Sequence, residues 1–128
     1  MTARVQDAGL ANITTAWAAY ASLPKYIQWG TGSGAAKTEN VVTTTSTTES
    51  RTTGTVTQQT TTVTNDTYQV TGTVTAAGTR AITEVGVFDA AGSGSPPTGG
   101  NMGIYGDFST INLSTGDNIA FTIKVAFS

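Results

Sequence analysis

The stretch Asn118-Ile-Ala-Phe-Thr-Ile-Lys-Val-Ala-Phe127 places a large apolar side chain at every second position. Successive side chains of a β-strand point to opposite faces of a sheet, so this spacing gives a strand one continuous apolar face. A helix would distribute the same residues around its axis. The stretch therefore predicts a core strand, and its apolar face consists of Ile119, Phe121, Ile123, Val125 and Phe127.

Similar segments precede it along most of the chain. In residues 67–75, Tyr68, Val70 and Val74 share one face, and four threonines share the other with Gln69. Other segments are rich in β-branched or aromatic residues and are bounded by turn-forming residues, namely 25–29, 52–63, 81–89 and 102–108. Short strands separated by turns predict an all-β domain over residues 25–128, built as a jelly-roll-like antiparallel β-sandwich.

The threonine-rich stretch 40–63 has two interpretations, a low-complexity linker or a long β ribbon. Because β-branched residues dominate its second half, we predict a strand over residues 52–63. Residues 31–34 and 90–100 are predicted loops, since their glycine, serine and proline content disfavours regular structure.

Residues 6–22 form the one segment with helical periodicity, and residues 1–24 are the predicted N-terminal helical segment. Asp7 is suited to cap the helix and Pro24 to end it. The apolar stripe has two interpretations: it covers one end of the β core, or it docks on a neighbouring subunit with Trp29 at its edge. The residues of the stripe lie three and four positions apart and are Leu10, Ile13, Trp17 and Tyr20.

The composition favours a surface that packs against a partner. Charged residues make up 11% of the 128-residue chain, against roughly 25% in ordinary soluble domains, while 28 threonines supply uncharged polarity. The net charge is −2, and the six basic residues are scattered along the chain, which argues against nucleic-acid binding. No apolar run is long enough to span a membrane and no secretion signal is visible, so we expect no membrane association.

The residues available for catalysis are few. The chain has no His and no Cys, which excludes Ser-His-Asp and Cys-His catalysis and the common zinc sites. The acidic residues are mostly in predicted turns and form no calcium motif, so we expect no metal, no cofactor and no hydrolase activity. Glu84, inside a predicted strand between Ile82 and Val85, is the one acid whose position turn chemistry does not explain; it could pair with Arg80 or Arg51 or act as an acid catalyst. Trp29, Tyr68 and Tyr105 could stack on a sugar if exposed, or fill the core if buried.

Five short motifs follow one another along the chain, each occurring once. They are Tyr26-Ile-Gln-Trp-Gly-Thr-Gly32, Glu49-Ser-Arg51, Tyr68-Gln-Val-Thr-Gly-Thr-Val-Thr-Ala76, Ala81-Ile-Thr-Glu-Val-Gly-Val-Phe-Asp89 and Gly116-Asp-Asn-Ile-Ala-Phe-Thr-Ile-Lys-Val-Ala-Phe127. Their order resembles that of a group of small structural proteins of tailed phages. The resemblance covers residues 26–127 and leaves the predicted helix outside. None of the shared motifs marks an active site.

The resemblance implies a virion component, assembled in the host cytoplasm, and specifically a capsid decoration or cement subunit that bridges major capsid proteins. A tail fibre or baseplate subunit is the close alternative, and a module that binds host glycans is the third. The resemblance also implies a homotrimer, and the uncharged threonine faces favour self-association. We expect residues 1–23 to dock on the major capsid protein or a neighbouring virion protein, while the β domain folds without them.

Overall fold

A computed structural model describes residues 1–42 and 47–128. Part of the threonine-rich stretch, residues 43–46, lies outside the described residues. Two antiparallel sheets, with strand orders β2-β1-β5-β6 and β3-β4-β7, pack as a sandwich behind one N-terminal helix, which confirms the predicted fold class. The elements are α1 Asp7–Ala19, β1 Tyr26–Gly30, β2 Thr52–Thr53, β3 Thr55–Gln59, β4 Thr67–Thr75, β5 Arg80–Phe88, β6 Met102–Leu113 and β7 Asn118–Ala126.

The core lies between the two sheets and is filled from their facing sides. β1 contributes Ile27 and Trp29, and β4 contributes Tyr68, Val70 and Val74, all of them buried. The alternation predicted for residues 67–75 is therefore confirmed, with the boundaries that the sequence predicted. Large side chains removed from water in this way stabilise the fold by roughly 1.5–3 kcal/mol each.

The strand predicted over residues 52–63 is divided between the two sheets at Gly54. β2 pairs with β1 and β3 pairs with β4, so the chain changes sheet at this residue. The Gly54 N–H donates to the Lys25 carbonyl at 2.7 Å. A Cβ atom at Gly54 would lie only 2.9 Å from that oxygen and 3.0 Å from the Thr71 carbonyl oxygen. Glycine is required here because two backbones approach too closely for a side chain.

The same predicted strand also ends four residues early, at Gln59, because Asp66 binds the backbone that would have continued it. The Asp66 carboxylate accepts hydrogen bonds from the N–H groups of Thr61, Thr62 and Val63, at 2.8, 3.0 and 2.9 Å. A side chain that captures consecutive N–H groups replaces the sheet ladder with a turn. Residues 60–66 therefore form the turn between β3 and β4.

β7 packs its apolar face on the core, as its sequence predicts, but it does so from the edge of its sheet. Its alternation is as predicted, but only Phe121 is buried, and Ile119 and Ile123 are half-buried. The reason is its position, since β7 pairs with β4 on one side and is the last strand of its sheet. β6 is likewise last in the other sheet, and it runs to Leu113, five residues beyond the predicted end at residue 108.

Candidate functional site

The helix is attached to the β-sandwich by both polar and apolar contacts. The Trp17 ring stacks on Tyr68, with the ring centroids 4.5 Å apart and the planes at 27°, and meets the edge of Phe127 at 6.0 Å. Leu10 and Thr14 of the same helix are buried, and the Thr14 hydroxyl donates to the Asn65 carbonyl at 2.5 Å. Aromatic pairs of this kind contribute about 0.5–1.5 kcal/mol beyond the area that they bury.

Gln58 of β3 provides the polar part of this attachment. Its amide nitrogen lies 3.2, 2.7 and 2.7 Å from the Ala11 carbonyl oxygen and the Thr14 and Thr15 hydroxyl oxygens, and these three acceptors share its two N–H groups. Reasoning from the sequence missed Thr14 and Gln58 because both are polar. Thr14 does lie four residues after Leu10 and three before Trp17, which is the spacing that could have revealed it. The inward face of the helix is therefore Leu10, Thr14 and Trp17.

The predicted docking stripe divides into two parts. Leu10 and Trp17 face the protein's own β domain, whereas Ile13 and Tyr20 are 37% and 60% exposed. Trp29 is 1% exposed, and its indole N–H donates to Glu49 at 3.3 Å. Leu10 and Trp29 thus leave almost no surface for a partner, because both are packed inside the chain. We call Ile13 and Tyr20 the helix patch.

Glu84 is fully buried, but not in the ion pair that its sequence position predicts. Its carboxylate accepts hydrogen bonds from the Tyr105 hydroxyl at 2.7 Å and from the Gly32 N–H at 3.3 Å. Arg80 instead pairs with Glu49 at 3.0 Å. Arg51 lies 3.7 Å from the centre of the Phe88 ring, where a cation is attracted to the ring face. The expected pairing of Glu84 with Arg80 or Arg51 is therefore wrong.

The hydrogen bonds accepted by three carboxylates, those of Asp66, Asp89 and Glu49, lower their pKa values. Bonds from the Val63 and Thr61 N–H groups hold the pKa of Asp66 well below its usual range. The Asn101 N–H and side chain lower the pKa of Asp89. Burial alone would raise the pKa of Glu49, but the bonds that it accepts lower it overall. A general acid at neutral pH needs a raised pKa. These carboxylates have lowered pKa values, and their hydrogen bonds hold loop backbone in place.

The aromatic residues considered for sugar stacking are mostly core residues. Trp29 and Tyr68 are buried, as the core interpretation predicts, and Tyr105 is half-buried and bonded to Glu84. Among residues 1–42 and 47–128, no three His, Cys, Asp or Glu side chains converge as metal ligands would. In the same residues, no helix is long and apolar enough to cross a membrane.

The outer edges of β6 and β7 form a second candidate surface, which we call the open side. No strand among the described residues pairs with either edge, although the strands are 12 and 9 residues long. Half-buried apolar side chains lie between the two edges, and the Phe108 and Phe121 ring centroids are 6.2 Å apart. At Gly106, a Cβ atom would meet no atom within 4 Å. The core is therefore incompletely covered along the open side.

The chain matches no protein-family model, and no curated protein and no solved structure matches it. The resemblance to phage structural proteins stays a prediction from the motifs alone. The helix patch and the open side are the two surfaces from which a function can be argued.

Proposed function

We propose that the protein is a non-enzymatic structural component of a virion, a capsid decoration subunit that binds the major capsid protein and stabilises the shell. The observation that carries the proposal is the helix patch. After the helix has packed on the β domain through Thr14 and Trp17, two side chains remain exposed: Ile13 on the helix and Tyr20, the residue directly after its last turn. An aliphatic side chain on a fixed helix and an aromatic one at its C-terminal end are suited to anchoring a subunit on a partner.

A decoration subunit that bridges its neighbours needs more than one contact surface, and the open side supplies a second on different elements. The rest of the surface suits close packing, because few charges would have to be desolvated. The order of the sequence motifs supports a phage origin for this arrangement. The residues that could have supplied chemistry, such as Glu84 and Asp66, are engaged by the protein's own hydrogen-bond donors.

The binding energy expected of the helix patch is modest for one copy. Complete burial of a large apolar side chain is worth roughly 1.5–3 kcal/mol. Since Ile13 and Tyr20 are only partly exposed at the start, we expect about 2 kcal/mol from both together, or about 30-fold in affinity. Many copies on one shell would add their separate contributions to its stability.

Binding to particles that lack the protein tests the proposal. The double variant Ile13→Asp/Tyr20→Asp should bind about 30-fold more weakly, and a matched control with one added charge on the same helix, Asn12→Asp, should bind normally. Electron cryomicroscopy of particles carrying a tagged chain should show it on the head. Density on the tail would favour the fibre or baseplate alternative, and equal binding by the double variant would remove the helix patch from the proposal.

A further inference from the structure

The four sheet edges of the sandwich are very differently protected. β2, at one edge, is two residues long, and β3, at another, is five residues long and bonded to the helix through Gln58. β6 and β7 are 12 and 9 residues long, and neither contains a proline. Unpaired backbone N–H and C=O groups along such an edge form a template for another strand, and short strands, prolines and charges are the usual protection.

Each open edge carries a single charged side chain, and the two charges are opposite. Asp107 is the one charged residue of β6, and Lys124 is the one charged residue of β7. Both are exposed. Asp107 accepts a hydrogen bond from the Gly34 N–H at 3.0 Å through one carboxylate oxygen. Opposite charges directly across two strands stabilise their pairing, and like charges destabilise it.

We propose that the β6 edge of one copy pairs antiparallel with the β7 edge of a second copy, with Asp107 opposite Lys124. The partner is thus this same chain, and the proposal does not depend on a virion function. Pairing of β6 with another β6, or of β7 with another β7, would bring identical charges to the same interface. Charge complementarity favours the mixed pair.

The apolar faces support the same register. With Asp107 opposite Lys124, the neighbouring positions place Phe108 opposite Ile123 and Gly106 opposite Val125. Gly106 and Phe108 follow the inward face of β6, since Gly106 pairs with the buried Val85 of β5. Val125 and Ile123 lie on the inward face of β7. The open space at Gly106 therefore meets a larger side chain, and the two hydrophobic cores become continuous.

Because both edges lie on the open side, two copies that face each other across a two-fold axis pair β6 with β7 twice, once in each direction. One such interface leaves neither copy with an unpaired β6 or β7 edge, so the assembly is closed. We therefore expect a closed oligomer whose mass does not grow with concentration. Light scattering should give a fixed multiple of the 13.1 kDa chain mass. A monomer at about 100 μM, a concentration well above the Kd of a stable oligomer, would overturn the proposal, as would a mass that rises without limit.

Charge reversal tests the register. The single variants Asp107→Lys and Lys124→Asp should each shift the mass to that of a monomer, while the double reversal should restore the oligomer. Circular dichroism checks that each variant keeps its β-sheet content. Failure of the folded double variant to reassociate would overturn the Asp107–Lys124 contact.

Cysteine cross-linking identifies the edges directly, because the chain has no Cys of its own. Asp107→Cys on one copy and Lys124→Cys on another, distinguished by a size tag, should form a mixed disulfide dimer on oxidation. Thr55→Cys on the β3 edge is the matched control and should not cross-link with either. Cross-links between two identical variants, or none between the mixed pair, would contradict the proposed pairing. None of these measurements involves a particle, so their failure is distinguishable from failure of the decoration proposal.

Discussion

Trp17 decides whether the helix belongs to the folding unit or is only appended to it. The substitution Trp17→Ala removes a ring that stacks on Tyr68 at 4.5 Å and meets Phe127 at 6.0 Å. Truncating a buried Trp to Ala costs about 3–5 kcal/mol. Because the Trp17 side chain is only half-buried, we expect about 2–3 kcal/mol from the lost area and the lost aromatic pair.

A loss of that size is a large part of the total stability of a small domain, which is about 5–15 kcal/mol. We expect the melting temperature to fall by roughly 10 °C and the urea midpoint to shift with an unchanged slope. Circular dichroism is the suitable probe, since Trp17 is itself one of the two tryptophans. The matched control is Tyr20→Ala at the C-terminal end of the helix; Tyr20 is 60% exposed, and its truncation should change the stability by less than about 0.5 kcal/mol.

The result also tests the expectation that the β domain folds without residues 1–23. If Trp17→Ala unfolds at the same urea concentration as the parent chain, the helix contributes nothing to the folding unit and our reasoning from the Tyr68 contact fails. If it is destabilised as expected, deletion of residues 1–23 should be more harmful still, because it also exposes Tyr68 and removes the Thr14 and Gln58 hydrogen bonds.

Two further predictions concern the turns that shape the sandwich. Gly54→Ala should lower the melting temperature, because the added Cβ would lie 2.9–3.0 Å from two backbone oxygens. The control Gly106→Ala, whose Cβ would meet nothing within 4 Å, should leave the melting temperature nearly unchanged or slightly raised. Equal effects of the two substitutions would contradict the role given to Gly54. The lowered pKa of Asp66 stabilises the fold above about pH 4, and this contribution is lost as the pH falls further. Asp66→Asn should therefore have a lower melting temperature than the parent chain at pH 7, and its melting temperature should fall less on transfer to pH 3. An identical pH dependence of the two proteins would refute this.

The strands with strict alternation were predictable because one sheet face meets the core and selects apolar residues at every second position. β4 has the predicted boundaries for that reason. β6 was predicted too short because Ser109, Thr110 and Asn112 resemble a loop. Its continuation depends on a partner distant in sequence, since Ile111 and Leu113 pair with Ile82 and Arg80 of β5. Pairing with another strand thus overrides the local composition.

The surroundings of Glu84 were not predictable, because a shift of register decides which way it points. The pairing of β5 with β6 shifts between Ile82 and Glu84. Ile82 lies in the core, and so does Val85, three residues later, which an unbroken period of two does not allow. Glu84 consequently faces away from the core and lies beneath Gly32 and Tyr105. β-Bulges change which face of the sheet the following side chains point to. No residue near Glu84 indicates a bulge in the sequence.

The distribution of half-buried residues in β7 is itself an argument about assembly. β7 presents five large apolar side chains on one face, yet it is at the edge of its sheet, and among them only Phe121 is buried. Within one copy, Ile119, Ile123 and Phe127 pack against the core but are only half-buried. If the β6 edge of another copy covers that margin, the same residues become interior, and the sequence pattern and the structure agree. The mass of the free protein in solution therefore tests both the interface and the reason for the strand's composition.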